Sequence, residues 1–183
     1  SSSEANAGSA YYMVLDYRYL NADLATGHTA SDRRLSVRCI QDYIEEVILF
    51  DSSEGPVLAA SVVVDENSSA GSLIDKRDGK KYKTVQIGSQ TWMAENLNYK
   101  TKDSYCYEDK SANCKKNGRL YKWDAALQAC PAGWHLPNKE EFEALFASIG
   151  GDAAGKGIAK KLKSKTGWSE ENGIDAFGFS VRP

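Results

Sequence analysis

Cys39, Cys106, Cys114 and Cys130 carry the best-defined chemistry in this sequence. Thiols serve as metal ligands, nucleophiles or disulfides, and their spacing helps to separate these uses. Cys106 and Cys114 are separated by seven residues, Cys130 is followed by Pro131, and Cys39 lies far away, which does not match a zinc site. Disulfides fit better. Cys106 and Cys114 bracket the polar loop Tyr107 to Asn113 and would close it locally, leaving Cys39 and Cys130 for a long-range staple. Constraining so large a loop contributes on the order of 4 kcal/mol. Such bridges imply an oxidising compartment. Four reduced, buried thiols are the alternative.

Other candidates are sparse. The histidines are His28 and His135. With no partner at ligand spacing, His135 reads as a structural hydrogen-bonding residue rather than a metal ligand or base. Glu95, Asp124 and Asp175 are candidate acids, but no spacing sets them apart from surface carboxylates. Asp65-Glu-Asn67 and Asn172-Gly-Ile-Asp175 offer oxygens without the spaced carboxylates of a calcium loop. No cofactor is therefore assigned, the metal ligands are unknown, and calcium stays open. Trp168, Tyr105 and Tyr107 are weak candidates for stacking on a sugar, set against the plainer reading that they fill a loop-rich core.

The elements that must position these residues are most legible around Cys130. In Cys130-Pro-Ala-Gly-Trp-His-Leu-Pro137, the two prolines fix φ and push Cys130 and Leu136 into extended conformations, so an ordered turn lies between them. Asn138 is a good N-cap and Glu141 stands where a capping box needs it. Phe142, Leu145, Phe146 and Ile149 then form one apolar stripe, and Gly150 and Gly151 can end the helix.

Three zones organise the chain. Residues 1–42 hold two strand-like segments, Tyr11 to Leu20 and Arg34 to Ile40, with a loop around Gly27, and read as an antiparallel pair. Residues 43–72 hold Ile44 to Phe50 and Val57 to Val64 about the turn Asp51-Ser-Ser-Glu-Gly-Pro56, a hairpin followed by a linker; a short helix over Ile44 to Leu49 is the alternative. Residues 73–183 open with an Asp78-Gly79 hairpin turn, followed by a turn at Gly88-Ser89, a strand-like Gly118 to Trp123, and helices over Asp124 to Ala129, 139–149 and Ile158 to Leu162. One short echo stands out, Leu35-Ser-Val-Arg38 against Phe179-Ser-Val-Arg182.

Composition narrows the classes. A chain of 183 residues with 42% hydrophobic and 26% charged residues belongs among globular domains. Its net charge of −2 gives no footprint for a nucleic-acid backbone. Lysines cluster over Lys76 to Lys83, Lys110 to Lys122 and Lys156 to Lys165, and read as solvated faces. No apolar run is long enough to span a membrane. No leader stands at the start, where Ser1-Ser-Ser-Glu4 reads as the opening of a processed chain or of a piece of a longer one.

Asp75-Lys-Arg-Asp-Gly79, Ile87-Gly-Ser-Gln-Thr-Trp-Met-Ala-Glu-Asn-Leu-Asn-Tyr99, Cys106-Tyr107, Gly118-Arg-Leu-Tyr-Lys-Trp123 and Cys130 to Pro137 together resemble the Fibrobacter succinogenes major paralogous domain, over residues 73–183. The resemblance implies a C-type-lectin-like α+β fold: small antiparallel sheets, two or three short helices and many loops, stapled by disulfides. It also implies secreted or surface-exposed bacterial proteins without an established catalytic activity. The order of parts departs from the family. The segment through Leu35-Ser-Val-Arg-Cys-Ile-Gln-Asp42 resembles the usual C-terminal part of the domain, yet here it comes first. The zones thus become a tail part, 1–42, a hairpin or linker, 43–72, and a head part, 73–183. Either the chain spans the tail of one domain and the head of the next in an array, or tail and head fold together, within one chain or between neighbours. Contact is favoured, because each half exposes what the other would cover.

The expected function is a non-catalytic binding or adhesion module whose partner is a glycan or a surface protein. The alternative is a structural subunit that assembles into a fibre or array by head-to-tail pairing as a homo-oligomer. A sulfatase-modifying type of enzyme ranks below both, since all four cysteines have structural partners.

Overall fold

The computed structural model of this chain describes residues 34–42, 71–150 and 157–183 in full, together with the backbone of Ser9–Leu15, Ala22–His28, Leu49–Asp51 and Gly55–Val57. Among them, β1 (Ser9–Leu15) pairs with β2 (Ala22–His28), and β5 (Leu49–Asp51) with β6 (Gly55–Val57). Between these hairpins lie two very short strands, β3 (Leu35–Ser36) and β4 (Ile40–Gln41). A meander of β7 (Ser72–Asp75), β8 (Lys80–Ile87) and β9 (Gln90–Met93) follows. Then come β10 (Ser104–Tyr105), α1 (Ser111–Asn117), β11 (Leu120–Tyr121), α2 (Trp123–Ala126), β12 (Trp134–His135), α3 (Lys139–Ser148) and α4 (Ile158–Leu162). The fold is mixed α+β with antiparallel sheets, as the sequence leads one to expect.

The tail does not stand apart. The larger sheet runs β12-β4-β9-β8-β7, so β4 from the tail lies inside a sheet otherwise built from the head. A second sheet runs β10-β11-β3, with the tail's β3 at its edge. Main-chain bonds continue the junction: Met93 N–H donates to Cys39 O at 2.9 Å, Leu97 N–H to Val37 O at 2.8 Å, and Asp42 N–H to Gly133 O at 2.9 Å.

Alternation along the strands divides the interior into two cores. On one face of the sheet Ile40, Ile87 and Trp92 pack with Leu145 and Ile149 of the α3 end, Ile158 and Leu162 of α4, and Phe179. On the other, Val37, Cys39, Leu73, Tyr82, Met93, Tyr121 and Trp134 pack together. Residues 37–40 therefore feed both cores. Trp92 is fully buried, tilted against Phe142 at 5.5 Å and edge-on to Phe179 at 5.8 Å between ring centroids. Together such pairs contribute about 0.5–1.5 kcal/mol each beyond burial.

Local signals set the remaining geometry. The Asp78-Gly79 turn is locked by buried Asp75, which accepts from Arg77 Nε at 2.9 Å and Nη2 at 2.7 Å, while Arg77 Nη2 also donates to Ala129 O at 2.8 Å. The α3 capping box forms in full: Asn138 Oδ1 accepts from Glu141 N–H at 2.9 Å, and Glu141 Oε2 from Asn138 N–H at 2.8 Å.

Two expectations need correction. The strand expected over Tyr11 to Leu20 spans Ser9–Leu15, and its partner is Ala22–His28 rather than residues 34–40, so Gly27 lies in a strand and not a loop. Pairing with an aromatic, β-branched neighbour overrides the weak strand preference of Ala-Asp-Leu-Ala-Thr-Gly-His. The polar run after Cys106 is helical, with a 3₁₀ turn over Tyr107–Asp109 and then α1, which raises the short helices to four among the described residues. Of the hairpin expected in residues 43–72, only Leu49–Asp51 and Gly55–Val57 are described; the alternative helix over Ile44 to Leu49 and the oxygens of Asp65-Glu-Asn67 lie outside the described residues, as does Gly151.

Candidate functional site

Both cysteine pairs form in the structure. Cys39 joins Cys130 with Cα atoms 5.8 Å apart, and Cys106 joins Cys114 with Cα atoms 5.0 Å apart. The first ties the tail to the turn before β12. The second pins α1 to β10, and Cys114 is buried as a result.

His135 sits at the same junction. Its Nδ1 lies 2.6 Å from Asp42 Oδ1 and its Nε2 lies 2.7 Å from Glu141 Oε1, so the protonated ring can donate to both carboxylates. Burial opposes the charge, but hydrogen bonds to Asp42 and Glu141 outweigh it, and the pKa is raised above the ordinary 6.5. A raised folded pKa means that the extra stability is complete below the unfolded value and is lost as pH rises through the folded one. The ring and Asp42 are 39% and 49% exposed, so solvent screening holds the effect to about 1 kcal/mol or less. Urea midpoints taken from about pH 5.5 to about pH 8 should fall in the native chain relative to His135→Gln; parallel profiles would contradict this role.

The aromatic candidates are held by separate elements. Tyr105 is half-buried beneath the Arg34 guanidinium, 3.7 Å from the ring centroid, and its hydroxyl donates to Asp103 Oδ1 at 3.1 Å. Tyr107, on the 3₁₀ turn, is 59% exposed. Trp168 belongs to the C-terminal loops, where its Nε1–H donates to Ser164 Oγ at 3.1 Å and Lys163 Nζ stands 4.4 Å from its ring. Asn172 and Asp175 spend their oxygens inside the same loops, on Trp168 N–H and on Ser180. Glu95 accepts from Lys83 N–H at 2.8 Å. Asp124 lies in the first turn of α2. The structure therefore does not gather the three candidate acids through any described hydrogen bond. Among the described residues no cluster of histidine, cysteine and carboxylates could hold a metal ion.

What the structure does gather is positive charge. A cleft of about 180 Å³ lies where β8, the segment after β9, the end of α1, residue 38 and the C-terminus meet. Arg38, Lys80, Lys81, Lys115, Lys116 and Arg182 line it, against the single carboxylate of Glu95. Arg38 is the hub. Its Nε donates to Asn96 Oδ1 and its Nη2 to Ser180 O, each at 2.9 Å, its Nη1 donates to Phe179 O, and its guanidinium lies 4.8 Å from the Phe179 ring centroid. The first copy of the Ser-Val-Arg echo thus grips the second. Burial, and then Arg182, lower the Arg38 pKa to about 9 against the pull of Asp175 and Glu95. That still leaves the guanidinium charged at neutral pH.

The remaining cations are placed by the backbone. Gly118 ends α1 at φ +77°, and a side chain there would press on Asn96 Cβ at 2.7 Å and on the Asn96 and Leu97 carbonyls at 2.8 and 2.9 Å. Only glycine lets the helix end tuck in so closely. Asn96 Nδ2 then donates to Asn117 O, and Arg182 Nη1 to Lys116 O at 2.6 Å. Lys80 is committed to Asn98 O at 2.6 Å and Asp78 at 2.9 Å. The side chains of Lys81, Lys115 and Lys116 make no hydrogen bond or ion pair among the described residues. Lysines from two of the three runs that read as solvated faces, Lys76 to Lys83 and Lys110 to Lys122, are brought to one cleft by tertiary structure. The one sequence signal for it was the echo ending at Arg38 and Arg182.

Fold and cleft together define a small, disulfide-closed α+β domain with a polar, cationic recess. The family model of the Fibrobacter succinogenes major domain matches residues 85–183, just over half of the chain, and the chain belongs to that family. The family match begins inside β8, later than the residue 73 suggested by the resemblance. No curated protein and no solved structure matches. No described helix is long and apolar enough to cross a membrane.

Proposed function

We propose that this chain is a non-catalytic, extracellular or cell-surface binding module whose ligand, a glycan or a surface protein, enters the cationic cleft. The observation that carries the reading is the cleft itself. Residues from the tail, the meander, α1 and the C-terminus converge on it, and three of its lysines are uncommitted among the described residues. Its side chains are suited to holding a charged or hydroxylated group; the lining pairs no nucleophile with a base. The disulfides support the compartment, because such bridges persist where thiols are oxidised. The Cys39 to Cys130 bridge also supports a self-contained module over a head-to-tail assembling subunit, since it ties the tail to the head of its own chain. A glycan array read with the oxidised chain, with and without calcium, should show retention on a defined subset of glycans that chelation does not change. No retention there or on a panel of surface proteins would overturn the proposal.

A further inference from the structure

Resting on the binding-module reading, we infer that the cleft takes a sugar acid, with the ligand carboxylate held by the uncommitted lysines and a hydroxyl group by Glu95 of the same lining. The volume decides the scale. Pockets for drug-sized ligands run about 300–1,000 Å³, whereas about 180 Å³ is room for one compact polar unit. Charge decides the sign. Lys81, Lys115 and Lys116 lack partners among the described residues, and Arg38 of the same lining donates to Asn96, Phe179 and Ser180 and to no carboxylate.

The acceptor among the cations decides the kind of anion. Glu95 is the one carboxylate of the lining, and it is only partly buried. Glu95 spends Oε2 on Lys83 N–H, and its other oxygen has no donor among the described residues. A ligand that supplies O–H groups can donate to that oxygen, whereas a bare anion meets it as a like charge. Inorganic sulfate or phosphate brings charge and few or no donors, and would face Glu95. An acidic peptide side chain brings a carboxylate and no hydroxyl. A uronic acid unit brings one carboxylate and several hydroxyl donors in a small volume.

The test is titration calorimetry of the oxidised, full chain with galacturonic acid, trigalacturonic acid, galactose, sodium sulfate and hexaglutamate. Both galacturonate probes should bind, more weakly as salt is raised, and galactose should not. Tighter binding of the trimer assigns the site to a unit within a polymer; equal binding assigns it to a terminal or free sugar acid. Lys115→Gln with Lys116→Gln lies on an exposed helix end, and should weaken the galacturonate probes about tenfold without moving the thermal midpoint. Glu95→Ala tests the hydroxyl acceptor independently: it removes a negative charge, so an anion held by charge alone would bind more tightly, whereas the galacturonate probes should bind more weakly. Sulfate or hexaglutamate binding as tightly as trigalacturonate would overturn the sugar-acid assignment, as would no binding by either galacturonate probe. Retention of neutral glycans that the double lysine variant leaves unchanged would overturn it too, while leaving the binding-module reading standing.

Discussion

Replacing Cys39 and Cys130 together by alanine lowers unfolding free energy by about 4–5 kcal/mol, because the bridge closes a loop with a sequence separation of 91. Replacing Cys106 and Cys114, separated by 8, costs about 2–3 kcal/mol on the same chain-entropy reasoning. The difference has a structural counterpart. Cys39 is fully buried between Val37 and Ile40, which enter the two cores, so freeing the tail loosens both faces of the central sheet. Since a domain of this size is held by about 5–15 kcal/mol, the first variant loses a large part of its margin. Urea titrations of the two double variants measure the gap through their midpoints. Equal losses would mean that the tail is not integral to the fold.

Arg38→Ala has the second largest expected effect, about 3 kcal/mol. The substitution deletes a charged donor set that serves Asn96 Oδ1, Ser180 O and Phe179 O, and a hydrogen bond to a charged group contributes about 1.5–3 kcal/mol. Water entering the cleft offsets part of the sum of three. Arg38→Lys should recover less than half, because an ammonium keeps the charge without the planar fork that spans three acceptors. Thermal midpoints give the ranking, native above lysine above alanine. Amide exchange at Val181, whose N–H donates to Leu162 O at 2.9 Å, should quicken in the same order. Exchange unchanged at Val181 would show that Arg38 does not anchor the C-terminal strand-like segment.

Legibility in the sequence tracks how local the determinant is. The capping box at Asn138 and Glu141 and the Asp78-Gly79 hairpin were readable because the residues that decide each lie within a few positions. The pairing of Cys39 with Cys130 was readable for a different reason: the close spacing of the other two cysteines left one long-range combination. Helix α1 was not, since Ser111-Ala-Asn-Cys-Lys-Lys-Asn117 has no apolar stripe; the disulfide at Cys114 and the close approach at Gly118 hold it in place. The cleft was hidden for the same reason on a larger scale. Lys80 and Lys81 lie in one lysine run, Lys115 and Lys116 in another, and neither run signals that the fold will bring them together around Arg38. Nor did the pattern disclose that His135 would find two carboxylates, because Asp42 is 93 residues away and reaches it only through the β4 to β12 pairing.

The cleft, with Arg38 in its lining, exists only if residues 34–42 are part of the body formed by 71–150 and 157–183. Peptide mapping of the unreduced chain under alkylation, with the monomer isolated beforehand by sizing, tests this most directly. Two cross-linked species within one monomer are expected, Cys39 with Cys130 and Cys106 with Cys114. A free Cys39, a Cys39 to Cys106 bridge, or a Cys39 bridge between two chains would contradict this.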